Sequence, residues 1–259
     1  REAGWPWWTW AGLAVAVSVL GCFAATLPRR PAPLIHPSVW RDRTARWGVL
    51  LVFVFNAGVP SFTYLLFVHL QTALGYAVVA AALMSAPFAA AAVLGSRVAP
   101  ALSHRYGSAV LTVASLMLAG MVLGLALLVQ TGVGHWAAIP VLAVGGVAFG
   151  SFTASVFALV LAKVDGAAAG SVSGLLPTAQ QLGGSIGVAA AGLAYFTSPG
   201  GAFWHAMIYE AAVFVVAALV SLRLRGRLLV EAEPVAQDAG RAGCRSRRMP
   251  SGEDAVRGG

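Results

Sequence analysis

Charged side chains make up only 10% of this 259-residue chain, and that scarcity excludes a first class of answers. Hydrophobic residues reach 59% and the mean hydropathy is +0.80. A soluble domain of this length has no use for so much apolar surface, so the composition is that of a polytopic membrane protein. Cysteine is nearly absent: Cys22 falls in an apolar run and Cys244 in a polar tail, which leaves neither a disulfide framework nor a metal-ligand spacing. Lysine is rarer still, since sixteen of the seventeen basic residues are Arg and Lys163 stands alone. Also lacking are a nucleotide-binding loop, a supported Ser/His/Asp or Cys/His spacing and a metal cluster, so the sequence does not read as an enzyme. Runs of about 20 apolar residues, in place of about 10 with strict alternation, argue against a β-barrel.

What is present is a series of seven apolar runs. They extend over Trp7 to Leu27, Trp47 to Leu70, Tyr76 to Val98, Ser108 to Gln130, Trp136 to Ala162, Ser173 to Phe196 and Phe203 to Leu222. An all-α fold of seven transmembrane helices is the expectation. The net charge of +8 does not point to nucleic acid, because the basic residues cluster between and after the apolar runs. Leu27 to Trp47 holds Arg29, Arg30, Arg41, Arg43 and Arg46, whereas Gln71 to Gly75 holds none. Arg97 and Arg105 flank the next connection, Lys163 the one after the fifth run, and the tail begins with Arg223, Arg225 and Arg227. All the basic residues except Arg1 therefore fall on one side. By the positive-inside rule that side is cytoplasmic, with the amino terminus outside a cell membrane and the carboxyl terminus inside. The polar, Arg-rich stretch 225–259 reads as a disordered cytoplasmic tail.

The most informative run is GSVSGLLPTAQQLGGSIGVAAAG, Gly170 to Gly192. Small residues four apart, Gly170/Gly174 and Gly183/Gly187, allow two helix backbones to approach closely. Pro177 frees a carbonyl, and Gln180 and Gln181 are costly in hydrocarbon unless a neighbouring helix or a watery cavity satisfies them. A helix beginning near Ser173 places the glutamines about 10 to 12 Å along its axis from the cytoplasmic side. The expectation is that the glycines pack the bundle and the glutamines meet substrate or water. Gly145, Gly146 and Gly150 favour close packing in the fifth run. Ser151, Thr153 and Ser155 there either line a cavity or satisfy backbone carbonyls.

Three stretches together resemble the carboxyl-terminal half of a major facilitator superfamily transporter, from its fourteen-helix drug:proton antiporter branch. DGAAAGSVSGLLPTAQQLGGSIGVAA resembles that branch's penultimate helix, PLIHPSVWRDR the cytoplasmic connection ahead of the carboxyl-terminal bundle, and FVHLQTALGY the end of that bundle's first helix. The resemblance implies four regions: a helix linking two bundles at 1–27, a cytoplasmic connection at 28–46, a six-helix bundle at 47–224, and the tail. It also implies an amino-terminal bundle that this chain lacks. Because the chain opens on Arg1 with no signal peptide, a fragment or processed piece is expected.

By the same resemblance, APALSHRYGSAVL occupies the place of the superfamily's G-x-L-A-D-R-x-G-R-R gating loop. Leu102, Arg105 and Gly107 match, while His104 replaces the aspartate, so a gating contact and a plain basic turn both remain open. In the second run Asn56, Pro60, Thr63 and Phe67 share a face. The family's layout makes this a cavity-lining helix, with Asn56, Thr63 and Tyr64 as substrate-facing candidates; the alternative is polar side chains bonded to their own kinked backbone. Glu210 is the one acidic residue well inside a run. A carboxylate at mid-bilayer costs about 2.5 to 3.5 kcal/mol, so it is expected to be protonated or paired, which makes it the proton-linked candidate. His36, His69, His135 and His205 lie near helix ends, where an interfacial position is expected.

The function implied is proton-coupled efflux of drugs or hydrophobic or amphipathic natural products by alternating access, with the bilayer and such a substrate as partners. No cofactor is expected, and the energy source would be a proton gradient. Two other readings stay open: a truncated or half-size membrane protein that needs a partner chain, and a seven-helix receptor. The lone lysine ends the fifth run, which excludes a retinal Schiff base in the last.

Overall fold

The computed structural model describes residues 7–26, 43–132, 135–162, 166–197 and 203–224. Leu, Val, Ala and Phe fill these segments, and a chain with no water to bond to must satisfy its backbone internally, so each apolar run closes into a helix. Seven α-helices result among the described residues: α1 (Trp7–Thr26), α2 (Arg43–Thr72), α3 (Val78–Tyr106), α4 (Ala109–Thr131), α5 (Ala138–Leu161), α6 (Gly166–Phe196) and α7 (Phe203–Leu224). A 3-10 turn, His135–Ala137, precedes α5. Five of them, α2, α3, α4, α5 and α7, are long and apolar enough to cross a membrane. The other two fall short of the seven spans expected: α1 offers the shorter apolar stretch Trp7–Phe23, and α6 is diluted by glycine, Pro177 and its glutamines. Lys163, Asp165, His36 and the 225–259 tail lie outside the described residues.

Helix ends follow from local chemistry. Gly107 stops α3 at φ +56°, and its N–H bonds the Ser103 carbonyl at 2.8 Å. Gly132 stops α4 at φ +66°, a left-handed conformation that costs glycine nothing. Proline occurs inside α2 (Pro60), α3 (Pro87, Pro100) and α6 (Pro177), where neighbouring hydroxyls accommodate polar backbone. Ser61, for example, donates to the carbonyl of Ala57 at 2.6 Å, beside the Asn56 carbonyl that Pro60 leaves without its helical partner.

The six helices α2 to α7 share one core. Phe55 on α2 stacks on Phe152 of α5, with ring centroids 3.4 Å apart, and meets Phe214 of α7 edge-on at 5.7 Å. Leu51, Leu65, Leu111, Leu118, Leu142, Leu176 and Met207 are fully buried around them. The closest helix pairs are α3 with α5 and α2 with α6, followed by α4 with α5. Phe214 and Phe203 seat α7 on α2, through Phe55 and His69, and Thr112 on α4 meets Ser221 on α7 at 2.6 Å. These contacts keep their pattern when α2, α3 and α4 are exchanged with α5, α6 and α7. Three helices is an odd number, so the second triplet runs opposite to the first, which makes the bundle an inverted repeat. That internal repeat is the feature that sets it apart from a receptor layout. In contrast, the large apolar side chains of α1, from Trp7 through Leu13 and Leu20 to Phe23, are all exposed.

Candidate functional site

The inverted repeat makes two glycine-tight seams, and they differ in what they leave open. In the α3/α5 seam, a Cβ added at Gly146 or Gly150 would run into the carbonyls of Phe88 or Ala92, and one at Gly95 into the carbonyl of Val147. Gly145 faces Met121 of α4 instead. Hydroxyls finish this seam: Ser151 donates to the Gly95 carbonyl at 3.2 Å, and Ser103 to Ser155 at 2.7 Å. Both serines on α5 are buried and bonded within the seam, and Ser151 also borders the groove beside Tyr106. Thr153 is half-buried.

The α2/α6 seam is built the same way. Gly183 and Gly187 sit against the carbonyls of Phe53 and Ala57, Gly184 lies over Pro60, and Gly192 lies opposite Tyr64. Phe53, Ala57, Pro60 and Tyr64 recur at four, three and four residues, one continuous stripe of α2. Along this seam several polar side chains remain open. Thr63, Tyr64 and Gln181 are exposed and Gln180 is half-buried. Thr63 donates back to the Val59 carbonyl at 3.0 Å, so its hydroxyl is anchored, but the amides of Gln180 and Gln181 and the Tyr64 hydroxyl bond no described side chain.

The structure separates the remaining candidates. Asn56 does not share the open face with Thr63 and Tyr64: it is buried, and its amide donates to the Val52 carbonyl at 2.9 Å, the self-bonded arrangement. Gly170 and Gly174 do not pack a helix either, since both are exposed with open space where a Cβ would stand. The glutamines lie deeper than a start at Ser173 implies. With α6 beginning at Gly166 they fall about 21 to 23 Å along its axis, near the middle of the helix.

At the α3–α4 turn, His104 and Arg105 are exposed and the guanidinium of Arg105 lies 5.4 Å over the Tyr106 ring. Gly107 is the residue whose positive φ makes the turn. Leu102, the other residue matching the gating pattern, borders a groove beside Tyr106.

Glu210 is fully buried in the α2/α7 interface, and neither carboxylate oxygen has a hydrogen-bond partner among the described residues. Ser61 of α2 is the hydroxyl that faces it. That hydroxyl is engaged by the carbonyls of Ala57 and Gly58 at 2.6 and 3.0 Å. His69 lies in the last turn of α2, as its sequence position implies, and turns into the bundle. Near a helix end but covered by Phe203, whose ring stacks on it at 4.0 Å, it is buried with Nε2 unpartnered. It borders an apolar cavity of about 260 Å³ with Leu70, Met84, Leu142 and Phe203. Sequence reasoning also missed Gly48, Gly58 and Gly95, which face Val160, Phe214 and the Val147 carbonyl. Gly95, four residues after Ala91, and Gly48, four after Thr44, carried a small-xxx-small signal, and Gly58 carried none.

The family model of the Major Facilitator Superfamily matches residues 2–188. The chain is also 34% identical over 207 residues to a protein of Streptomyces coelicolor named "Probable actinorhodin transporter". That alignment covers 76% of this chain and 35% of the relative, so the chain spans about a third of the relative's length. An all-α bundle with membrane-length helices, an inverted repeat and this match agree with one another, and the chain belongs to the Major Facilitator Superfamily, a family of multi-pass membrane transporters and not of enzymes.

Proposed function

We propose that this chain is the carboxyl-terminal half of a fourteen-helix drug:proton antiporter, exporting a hydrophobic or amphipathic natural product. The open α2/α6 seam carries this reading. Unbonded amides at Gln180 and Gln181 and the Tyr64 hydroxyl, at the middle of a membrane-length helix pair, have reason to exist only where they meet water, substrate or another protein surface. In this reading residues 47–224 form the bundle, α1 links it to an amino-terminal bundle, and the two bundles rock about a site near the midplane. Arg105 and Gly107 shape a gating turn on the cytoplasmic side of the cell membrane. The relative named as an actinorhodin transporter supports a natural product as cargo.

Glu210 is the proton-linked group in this account. An ionised carboxylate without a partner is strongly disfavoured in a buried site, so its occupancy by a proton would be tied to whether α7 stays closed on α2.

The test is export of a fluorescent amphipathic dye from inverted membrane vesicles, driven by an imposed proton gradient. The chain alone and the chain with an amino-terminal bundle supplied are compared. Gradient-dependent dye movement that requires both bundles supports the reading. Dye movement that ignores the gradient removes the proton, and none with both bundles present removes export.

A further inference from the structure

Among the described residues the basic end of the bundle has no counter-charge of its own. Arg43, Arg46, Arg97, Arg105 and Arg223 are exposed, and the only acidic residue among the described ones, Glu210, is buried at another depth. At that end a groove of about 340 Å³ opens between α3, α4 and α5. Leu102, Val113, Met117, Val147 and Ala148 line it, and Tyr106 stands at its mouth with the Arg105 guanidinium 5.4 Å from its ring. From Ala109 to Met117 the groove follows α4 for nine residues, about 12 Å of helix axis into the membrane-spanning part.

We infer that this groove is a binding site for an anionic phospholipid of the leaflet at the basic end. The Arg105 guanidinium would pair with the headgroup phosphate, and the Tyr106 ring fixes the direction of that guanidinium. One acyl chain would lie along the groove between Val113 and Met117, where the lining is apolar apart from Ser151, whose hydroxyl is turned to the Gly95 carbonyl. A cytosolic anion does not fit, because the lining offers it nothing below the mouth. A helix from another chain would leave the Arg105 charge without a counter-ion. Basic pockets between membrane helices recognise anionic headgroups in this manner, and the site requires no transport activity.

Native mass spectrometry of the full chain measures retained lipid, with phosphatidylglycerol and phosphatidylcholine of identical acyl chains as the probes. Phosphatidylglycerol is expected to bind several-fold more tightly. Arg105→Gln should lower its affinity about fivefold, the effect of one basic residue at a membrane surface. Val113→Trp, which fills the groove at an exposed position, should reduce binding of both lipids. Arg223→Gln, which removes a charge at the same end on α7, should leave binding unchanged. Equal affinity for the two lipids would overturn the inference, as would an Arg223→Gln effect as large as that of Arg105→Gln, which would mean diffuse attraction with no built site. Retained binding in Val113→Trp would place the acyl chain elsewhere and overturn it too. Circular dichroism of each variant separates loss of lipid from loss of fold.

Discussion

The two seams of the inverted repeat, α3/α5 and α2/α6, use the same contact and finish it differently. Each brings glycines of one helix onto backbone carbonyls of the other, Gly146 and Gly150 in the first and Gly183 and Gly187 in the second. In the α3/α5 seam serine hydroxyls bond across the contact, Ser151 to the Gly95 carbonyl and Ser103 to Ser155. In the α2/α6 seam the amides of Gln180 and Gln181 stay unbonded and Tyr64 stays exposed. Close packing is therefore the shared structural requirement. The open polar groups are the asymmetry, and function is argued from them.

The largest expected effect tests what the seams share. Gly150→Leu and Gly187→Leu place side-chain atoms where a carbonyl of the facing helix stands, so each should destabilise the bundle by about 3 kcal/mol or more. Thermal unfolding followed by size-exclusion chromatography in detergent would show loss of the folded monodisperse species for both. Tolerance of either variant would mean that the seam is not packed as described.

A second test separates the seams. Gln181→Leu should leave the melting temperature within about a degree while lowering dye export about tenfold, the rate equivalent of one lost hydrogen bond of about 1.4 kcal/mol. Ser151→Ala should do the reverse, weakening the fold by about 1 kcal/mol by leaving the Gly95 carbonyl unmet, with export retained in the folded fraction. Equal effects of the two variants on export would erase the distinction.

Glu210→Gln tests whether the α2/α7 interface belongs with the open seam. The neutral isostere suits a buried site at least as well as the acid does, so folding should hold while export loses its dependence on the imposed proton gradient. Export that keeps its full gradient dependence would make Glu210 a structural group only. The smallest effect is expected at Gly174→Ala: with open space at the Cβ position, alanine's better helix propensity should raise stability by about 0.5 to 1 kcal/mol.

Much of this architecture was legible in the sequence, and the reasons are local. Seven apolar runs gave seven helices, since a run long enough to cross a bilayer has no other way to satisfy its backbone. The Gly183/Gly187 and Gly146/Gly150 spacings announced tight contacts because four residues return a helix to the same face. Gly170/Gly174 carried the same signal and packs against no described residue, since spacing names a face without naming what stands opposite. Asn56 was misplaced for a related reason. It shares a helical face with Pro60 and Thr63, but it is buried in the core and its amide turns back to Val52. The nearness of His69 to the end of α2 was legible, whereas its burial depends on the tertiary position of Phe203. The inverted relation between the triplets has no counterpart in residue spacing, because it lives in contacts between helices far apart in sequence.

The central claim is that the α2/α6 seam faces the transported molecule and the α3/α5 seam does not. Single cysteines at Gln181 and Ser155, in a background with Cys22 and Cys244 replaced by serine, can be titrated with a membrane-permeant maleimide in vesicles holding the chain and an amino-terminal bundle. The account predicts rapid labelling of Gln181→Cys that slows several-fold when exported dye is present, and little labelling of Ser155→Cys under either condition. Labelling of Gln181→Cys that is indifferent to dye, or dye protection at Ser155→Cys, would contradict it.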